Sequence, residues 1–296
     1  MFNKATDKQQ LKRYSRVIEE FKKFNPRAIA LFGSYGMGLQ DKYSHDLDIV
    51  VYTDRIPNTN TKKAVFSSIC DTSISTVPFP FSIDVFPRED EFCEVVFKQC
   101  RRIELTVSQL VEGNGDNEEE VAIFVYYTKV LYDDGWLKAQ KARIGKYPQK
   151  LLATTLFSAL FSALREAHYH DRAINKRHEP YWAELCINEG LSLLMHAVFA
   201  ANKTYYGKHK WAEVQCRGFK LKPKNFEQKL LHVMKSRDIA AYQRLALDIC
   251  TLCQKHYPRE CGDVVALDSK LAHIDDYIES QKMTSSKTSM RAEHLS

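Results

Sequence analysis

Three aspartates and a Gly-Ser pair are the residues of this chain whose types and spacing could do chemistry. Asp46 and Asp48 stand two apart in the run Asp46-Leu47-Asp48-Ile49-Val50-Val51-Tyr52. On a strand, the two-residue period turns both carboxylates to one face while Leu47, Ile49 and Val51 point into a core. Two carboxylates side by side repel. They are stable together when a cation bridges them or one keeps its proton, and hard oxygen ligands select magnesium or manganese. A third carboxylate, Asp84, is framed by Ile83 and Val85 on a strand expected to neighbour the first pair, where it would supply a ligand for a second ion. Two ions roughly 3.5–4 Å apart can stabilise the attacking and leaving oxygens of an in-line displacement at phosphorus. Upstream, Gly33 lacks a Cβ and lets backbone amides come close to a phosphate, and Ser34 adds a hydroxyl where a helix would begin at Tyr35. The triphosphate of an NTP would sit there.

The elements that must hold these residues can be read from hydrophobic spacing. Apolar residues at Leu11, Tyr14, Val17, Ile18, Phe21 and Phe24 predict a leading amphipathic helix over 9–24, stopped by Asn25-Pro26. Ala28 to Phe32 reads as a buried strand feeding the Gly33-Ser34 turn, and Asp46 to Tyr52 as the next strand. A helix is expected over 62–72, a third strand over 79–86, a fourth over Arg102 to Val107, and a short strand over Lys129 to Tyr132. Beyond Pro148, segments 149–172, 179–202, 225–236, 238–256 and 267–281 all show helical spacing. The expected architecture is α+β: a first domain over 1–135 with a mixed sheet, an all-α helical bundle over 136–282, and a disordered tail over 283–296 rich in Ser, Thr and charge.

The ordered pattern of Gly33-Ser34, eleven residues, Asp46-Leu47-Asp48-Ile49 and then Ile83-Asp84-Val85 resembles the nucleotidyltransferase superfamily that includes DNA polymerase β. That resemblance implies a polymerase-β-like catalytic domain in which Asp46 and Asp48 ligate two Mg2+ ions, with Mn2+ as a substitute, and Asp84 completes the catalytic one. It also implies that Ser34 and nearby amides hold the triphosphate, with ATP the expected donor. Many members have Ser directly before the first Asp. Here His45 intervenes after Ser44, which is kept as a nucleotide contact.

A catalytic domain followed by a helical bundle also resembles the antibiotic nucleotidyltransferases that modify aminoglycosides or lincosamides, and their bacterial relatives. The stretch from Ala200 to Trp211 is similar to an Asn…Tyr…Lys-Trp stretch in their second domain. A small-molecule hydroxyl acceptor follows from that likeness. Glu184 or Glu189 would be the general base, Lys210 would meet the triphosphate or acceptor, and Tyr205, Tyr206 and Trp211 would line the acceptor cleft or close the bundle core. The alternative is a nucleotidyltransferase joined to a HEPN-type domain acting on RNA or protein, since Arg172 and His178 have the Arg-x5-His spacing of those ribonucleases. An RNA-nucleotidyl-adding enzyme is a third reading.

Composition bounds the rest. With 296 residues, 44% hydrophobic and 27% charged, the chain is ordinary globular material of about two domains, neither wholly disordered nor membrane-embedded. The apolar run Leu151 to Leu164 is interrupted by Thr and Ser and falls short of the roughly 20 residues a bilayer span needs. The polar N-terminus lacks an apolar signal region, so a cytoplasmic address and no membrane partner are expected. Net charge is +6, but Lys203 to Arg237 holds ten Lys and Arg against only Glu213 and Glu227. Such a stretch contacts phosphates, nucleic acid or an anionic acceptor, or is simply a solvated surface. Eight cysteines are scattered among apolar neighbours and should be reduced thiols. Cys250, Cys253, His256 and Cys261 have zinc-type ligands at a spacing that fits no standard finger; the helical pattern around Leu245, Ile249 and Leu252 favours core packing.

Overall fold

The computed structural model describes residues 15–41, 44, 46–68, 75–77, 83–88, 91–207 and 209–273; for positions 16, 46, 75–77, 83–88, 91 and 92 it describes the backbone. The expected tail over 283–296, the leading helix before Ser15, the continuation of the 62–72 helix past residue 68, positions 79–82, His45 and residues 274–281 lie outside this set.

The chain divides into two compact units. The first takes in Met1–Leu151 and the returning segment Tyr205–Trp211; the second takes in Leu152–Thr204 and Ala212–Ser296. In the first unit, α1 (Ser15–Phe21) and a 3-10 turn lead into β1 (Ala28–Leu31), followed by α2 (Gly33–Met37), β2 (Asp46–Thr53) and α3 (Thr59–Phe66). Then come β3 (Ser75–Val77), β4 (Ile83–Arg88), β5 (Glu91–Gln99), α4 (Cys100–Val111), α5 (Glu118–Val121), a π-helical turn (Ala122–Tyr126), β6 (Lys129–Asp133) and α6 (Trp136–Ile144). The six strands form one mixed sheet in the order β3-β4-β5-β2-β1-β6; β2 and β5 are parallel and the other pairs antiparallel.

Alternation along the strands gives this sheet two buried faces. Ile29, Leu31, Leu47, Ile49, Val51, Val95 and Phe97 pack with Val17, Phe21 and Phe66 of α1 and α3. Ala28, Ala30, Val50, Tyr52 and Val96 pack on the opposite face with Ile103, Val107 and Leu110 of α4, Val121, Val125 and Trp136. A sheet covered on both faces needs strands that are apolar at nearly every position, as β1 and β2 are. The Tyr52 hydroxyl donates to the Phe124 carbonyl, so the ring is buried with its polar end satisfied.

Two expectations are corrected here. Arg102 to Val107 is not a strand. It lies inside α4, where Cys100, Ile103, Val107 and Leu110 are buried at helical spacing, and the β-branched residues misled a reading based on propensity. The strand in this region is β5, just upstream. The first unit also runs past residue 135, because Trp136, Leu137 and Ile144 of α6 are buried against the sheet face. Asp133 accepts from the amides of Leu137 and Lys138 at 2.9 Å each, welding the start of α6 to the end of β6.

The second unit is helical. It contains α7 (Gln149–Asp171) from Leu152 onward, a π-helical turn (Arg172–Arg177), α8 (Pro180–Ala201), part of α9 (His209–Cys216), α10 (Phe226–Ser236), α11 (Ile239–His256) and α12 (Pro258–Cys261), and residues 264–273 are helical. Tyr242 of α11 is fully buried, donates to the Ala163 carbonyl at 2.6 Å, and occupies the space that a side chain at Gly190 would fill. α8 is long and apolar enough to cross a membrane by length and composition, but 61% of that window is buried inside the fold, as a core helix requires. Cys250, Cys253 and Cys261 are buried too. Burial pushes Cys250 up to about 12 and Cys261 up to about 11, so they are neutral thiols packed as small hydrophobes.

Candidate active site

The acidic positions sit where β2 and β5 begin. Register places Asp46 opposite Phe92, Asp48 opposite Glu94 and Ile49 opposite Val95. Because these strands are parallel, their acidic N-terminal ends meet at one edge of the sheet. Paired positions project to the same face, so Asp48 and Glu94 share the face of Val50 and Tyr52. Both are only partly buried, unlike the wholly enclosed Val50 and Tyr52 further along β2.

β4 flanks the other side of β5, with position 84 opposite Val95 and position 85 opposite Glu94. Position 84 therefore falls in the row of Val95 and Ile49, one residue out of step with Asp48. For Asp46 and Asp84 the structure describes the backbone alone. The acid in register with Asp48 is Glu94, which sequence reasoning missed. Its signal was present: Cys93-Glu94-Val95 repeats the apolar-acid-apolar pattern of Ile83-Asp84-Val85 ten positions later.

Gly33 fits against the same carboxylate. Its φ is +60°, in the left-handed region, and a Cβ there would collide with the Asp48 carboxylate, so glycine is required on both counts. The Phe32 amide donates to the Asp48 carbonyl at 3.0 Å, which ties the turn to β2. At Gly36 a Cβ would stand 2.8 Å from the Leu31 carbonyl oxygen and 2.9 Å from that of Tyr127, so α2 lies close over the end of β1. The helix starts at Gly33, two residues earlier than expected, and Ser34 is 5% exposed. A helix start presents amide N–H groups that an anion can accept.

Other expected site residues are dispersed. The Ser44 hydroxyl accepts from the Asp41 amide at 3.0 Å and donates to the Asp41 carboxylate at 3.2 Å, a local turn-closing role. Lys210 lies in the returning segment, exposed, with its ammonium 5.1 Å from the centre of the Trp211 ring. That segment is firmly placed. Tyr205 and Tyr206 are buried, the Tyr206 amide donates to Glu118 at 3.1 Å, the Tyr205 hydroxyl donates to the Ile144 carbonyl at 3.0 Å, and a Cβ on Gly207 would meet Met37 of α2 at 3.0 Å. These tyrosines are core of the first unit rather than of the bundle. Glu184 is exposed and paired with Arg237 at 3.3 Å, and Glu189 is exposed. Arg172 opens the π-helical turn, and His178 closes it at a left-handed φ of 57°.

Glu118 is a further buried acid, 3% exposed, that sequence reasoning did not single out. Desolvation pushes its carboxyl up to about 7 although the Tyr206 amide and the Tyr147 hydroxyl, 3.3 Å away, both favour the ionised form. Nearby, Lys98 pairs with Glu120 at 2.7 Å and lies 4.0 Å from the Phe124 ring centre, and burial lowers its pKa. Among the described residues no group of three or more His, Cys, Asp or Glu side chains is gathered to hold a metal ion. The side chains of Asp46 and Asp84 lie outside that set. Asp48 and Glu94 stand directly opposite each other on adjacent strands, two oxygen ligands of the kind a hard divalent cation takes.

A family model described as a nucleotidyltransferase domain matches residues 14–90, the span that holds Gly33, Ser34, Asp46, Asp48 and Asp84. Residues 14–90 are a nucleotidyltransferase domain of the DNA-polymerase-β type. The nucleotidyltransferase match stops before Glu94, and a second model, described as a domain of unknown function (DUF4037), matches residues 117–212. No curated protein matches the chain in sequence. Among solved structures, a nucleotidyltransferase-like protein from Exiguobacterium sibiricum 255-15 is similar over 83% of this chain and 78% of its own, at 9% identity and a TM-score of 0.43. A CCA-adding enzyme in complex with CTP is similar over 86% of this chain and 68% of its own, at 10% identity and a TM-score of 0.24. The class chemistry of a nucleotidyltransferase domain is transfer of a nucleoside monophosphate.

Proposed function

We propose that the chain moves a nucleoside monophosphate from an NTP, with ATP as donor, to a hydroxyl of a small-molecule acceptor, at a site made by Asp46, Asp48 and Asp84, with Glu94 beside Asp48. The observation that carries this reading is the parallel register of Asp48 with Glu94 beside Gly33, where a side chain is excluded. These carboxylates would hold two Mg2+ ions, which offset charge on the attacking and leaving oxygens when bound. Asp84 would complete the site as the sequence pattern has it, and Glu94, opposite Asp48, would add a further carboxylate. Gly33 keeps the approach to the carboxylates open, and the start of α2 with Ser34 would hold the triphosphate. Lys210 belongs to the segment that passes Met37 at the end of α2, so it remains a candidate for the triphosphate. Glu184 is engaged by Arg237, which competes with any role in taking the acceptor proton.

The test is incubation of the full chain with labelled ATP, GTP, CTP or UTP and Mg2+, against aminoglycosides, lincosamides, RNA and proteins. Mg2+-dependent transfer of label from ATP to a small molecule is expected. Absence of transfer to every acceptor with either Mg2+ or Mn2+ would contradict the proposal. A polynucleotide hydroxyl is a second acceptor reading, favoured by the basic stretch from Lys203 to Arg237.

A further inference from the structure

The second unit has a basic groove that the transfer chemistry does not use. It encloses about 380 Å³ and is lined by Asn202, Lys203, Phe219, Lys220, Leu221 and Tyr257 among others, with no Asp or Glu in its lining. Its walls are fixed. The Asn202 side-chain amide donates to the carbonyls of Val198 and Leu221 at 2.8 Å each, and its oxygen accepts from the Leu221 amide at 3.0 Å, stapling the 217–222 loop to the end of α8. The Tyr257 hydroxyl donates to the Ala201 carbonyl at 2.7 Å, and Phe219 packs edge-on against Phe199 with ring centres 4.8 Å apart. Lys203 is exposed in a left-handed conformation at φ 53°, and Lys220 is exposed on the facing loop. The two acids of the basic stretch are already engaged within it, Glu213 with Arg217 at 3.3 Å and Glu227 with Lys222 at 2.5 Å.

We propose that this groove binds single-stranded nucleic acid, with the Lys203 and Lys220 ammonium groups on its phosphates and the Phe219 and Tyr257 rings against its bases. Exposed ammonium groups and half-buried rings lining one groove suit a chain that alternates charged backbone with flat bases. An acidic peptide has no use for the rings. A duplex keeps its bases stacked away from such rings. Binding here does not rest on the small-molecule transfer reading, and the binding measurement needs no NTP.

The test uses the full chain and fluorescein-labelled single strands of RNA and DNA, about 12 nucleotides long, a site size within the range of known single-strand binders. Anisotropy is followed across KCl concentrations, with duplex, polyglutamate and anionic vesicles as competitors. Binding that weakens steeply with salt is expected. Lys203→Glu with Lys220→Glu should weaken it at least tenfold and reduce the slope of log affinity on log salt by roughly 1.4, at an unchanged melting midpoint. Phe219→Leu should weaken binding without changing that slope. A preference for the RNA or the DNA strand identifies the source, and either supports the groove. No binding by the intact protein, full binding by the double lysine variant, or equal competition by polyglutamate or vesicles would overturn it.

Discussion

At the residue scale, the site rests on side chains that cannot be exchanged for close relatives. Gly33→Ala places a methyl group where the Asp48 carboxylate lies and strains a φ of +60°. It should lower transfer about a hundredfold or more, since small misplacements of catalytic groups cost that much. The assay is initial rate with labelled NTP, and circular dichroism should show the fold retained. Glu118 gives a prediction in pH. Its folded pKa of about 7 lies above the ordinary 4.5, so the folded protein holds the extra proton between those values. Its contribution is therefore most favourable below about pH 4.5 and is lost as pH rises through 7. Glu118→Gln keeps an acceptor for the Tyr206 amide and removes the charge. Urea unfolding should show the two proteins similar at about pH 5 and the variant more stable by roughly 1–3 kcal/mol at about pH 8. Asp46 and Asp48 could be picked out by type and spacing alone. Glu118 could not, because a burial that raises a carboxyl is created by tertiary packing around Tyr147 and Tyr206.

At the element scale, strands and helices with strong periodicity were legible, and pairing was not. β1, β2, α7, α8, α10 and α11 fall where apolar spacing puts them, and α4 and β5 do not. Arg102 to Val107 has strand-forming side chains on a helix whose buried face only the sheet defines. The place of Glu94 had the same limit. It sits between two apolar residues, and only the pairing of β5 with β2 sets it opposite Asp48. The Lys98–Glu120 pair joins β5 to α5, with the two side chains 6% and 14% exposed. Glu120→Gln removes the carboxylate while leaving the buried ammonium. It should destabilise the protein by about 3 kcal/mol in denaturant unfolding, and Lys98→Met in the same background should recover much of that loss.

At the scale of the whole molecule, the chain is a nucleotidyltransferase domain carried in a larger first unit, plus a helical second unit. The expected division at residue 135 was approximate for a physical reason. Helical spacing begins there, but the Trp136, Leu137 and Ile144 side chains are spent on the sheet, and Tyr205 returns from far along the chain to the same core. Contacts so distant in sequence leave no local trace. The measurement that bears most directly on the central claim is Mg2+-dependent NMP transfer by three single variants, Asp48→Asn, Glu94→Gln and Asp84→Asn. Asp48→Asn and Asp84→Asn should each lose activity by orders of magnitude, and a loss in Glu94→Gln would add the acid opposite Asp48 to the site. Near-normal activity in Asp48→Asn would contradict the account.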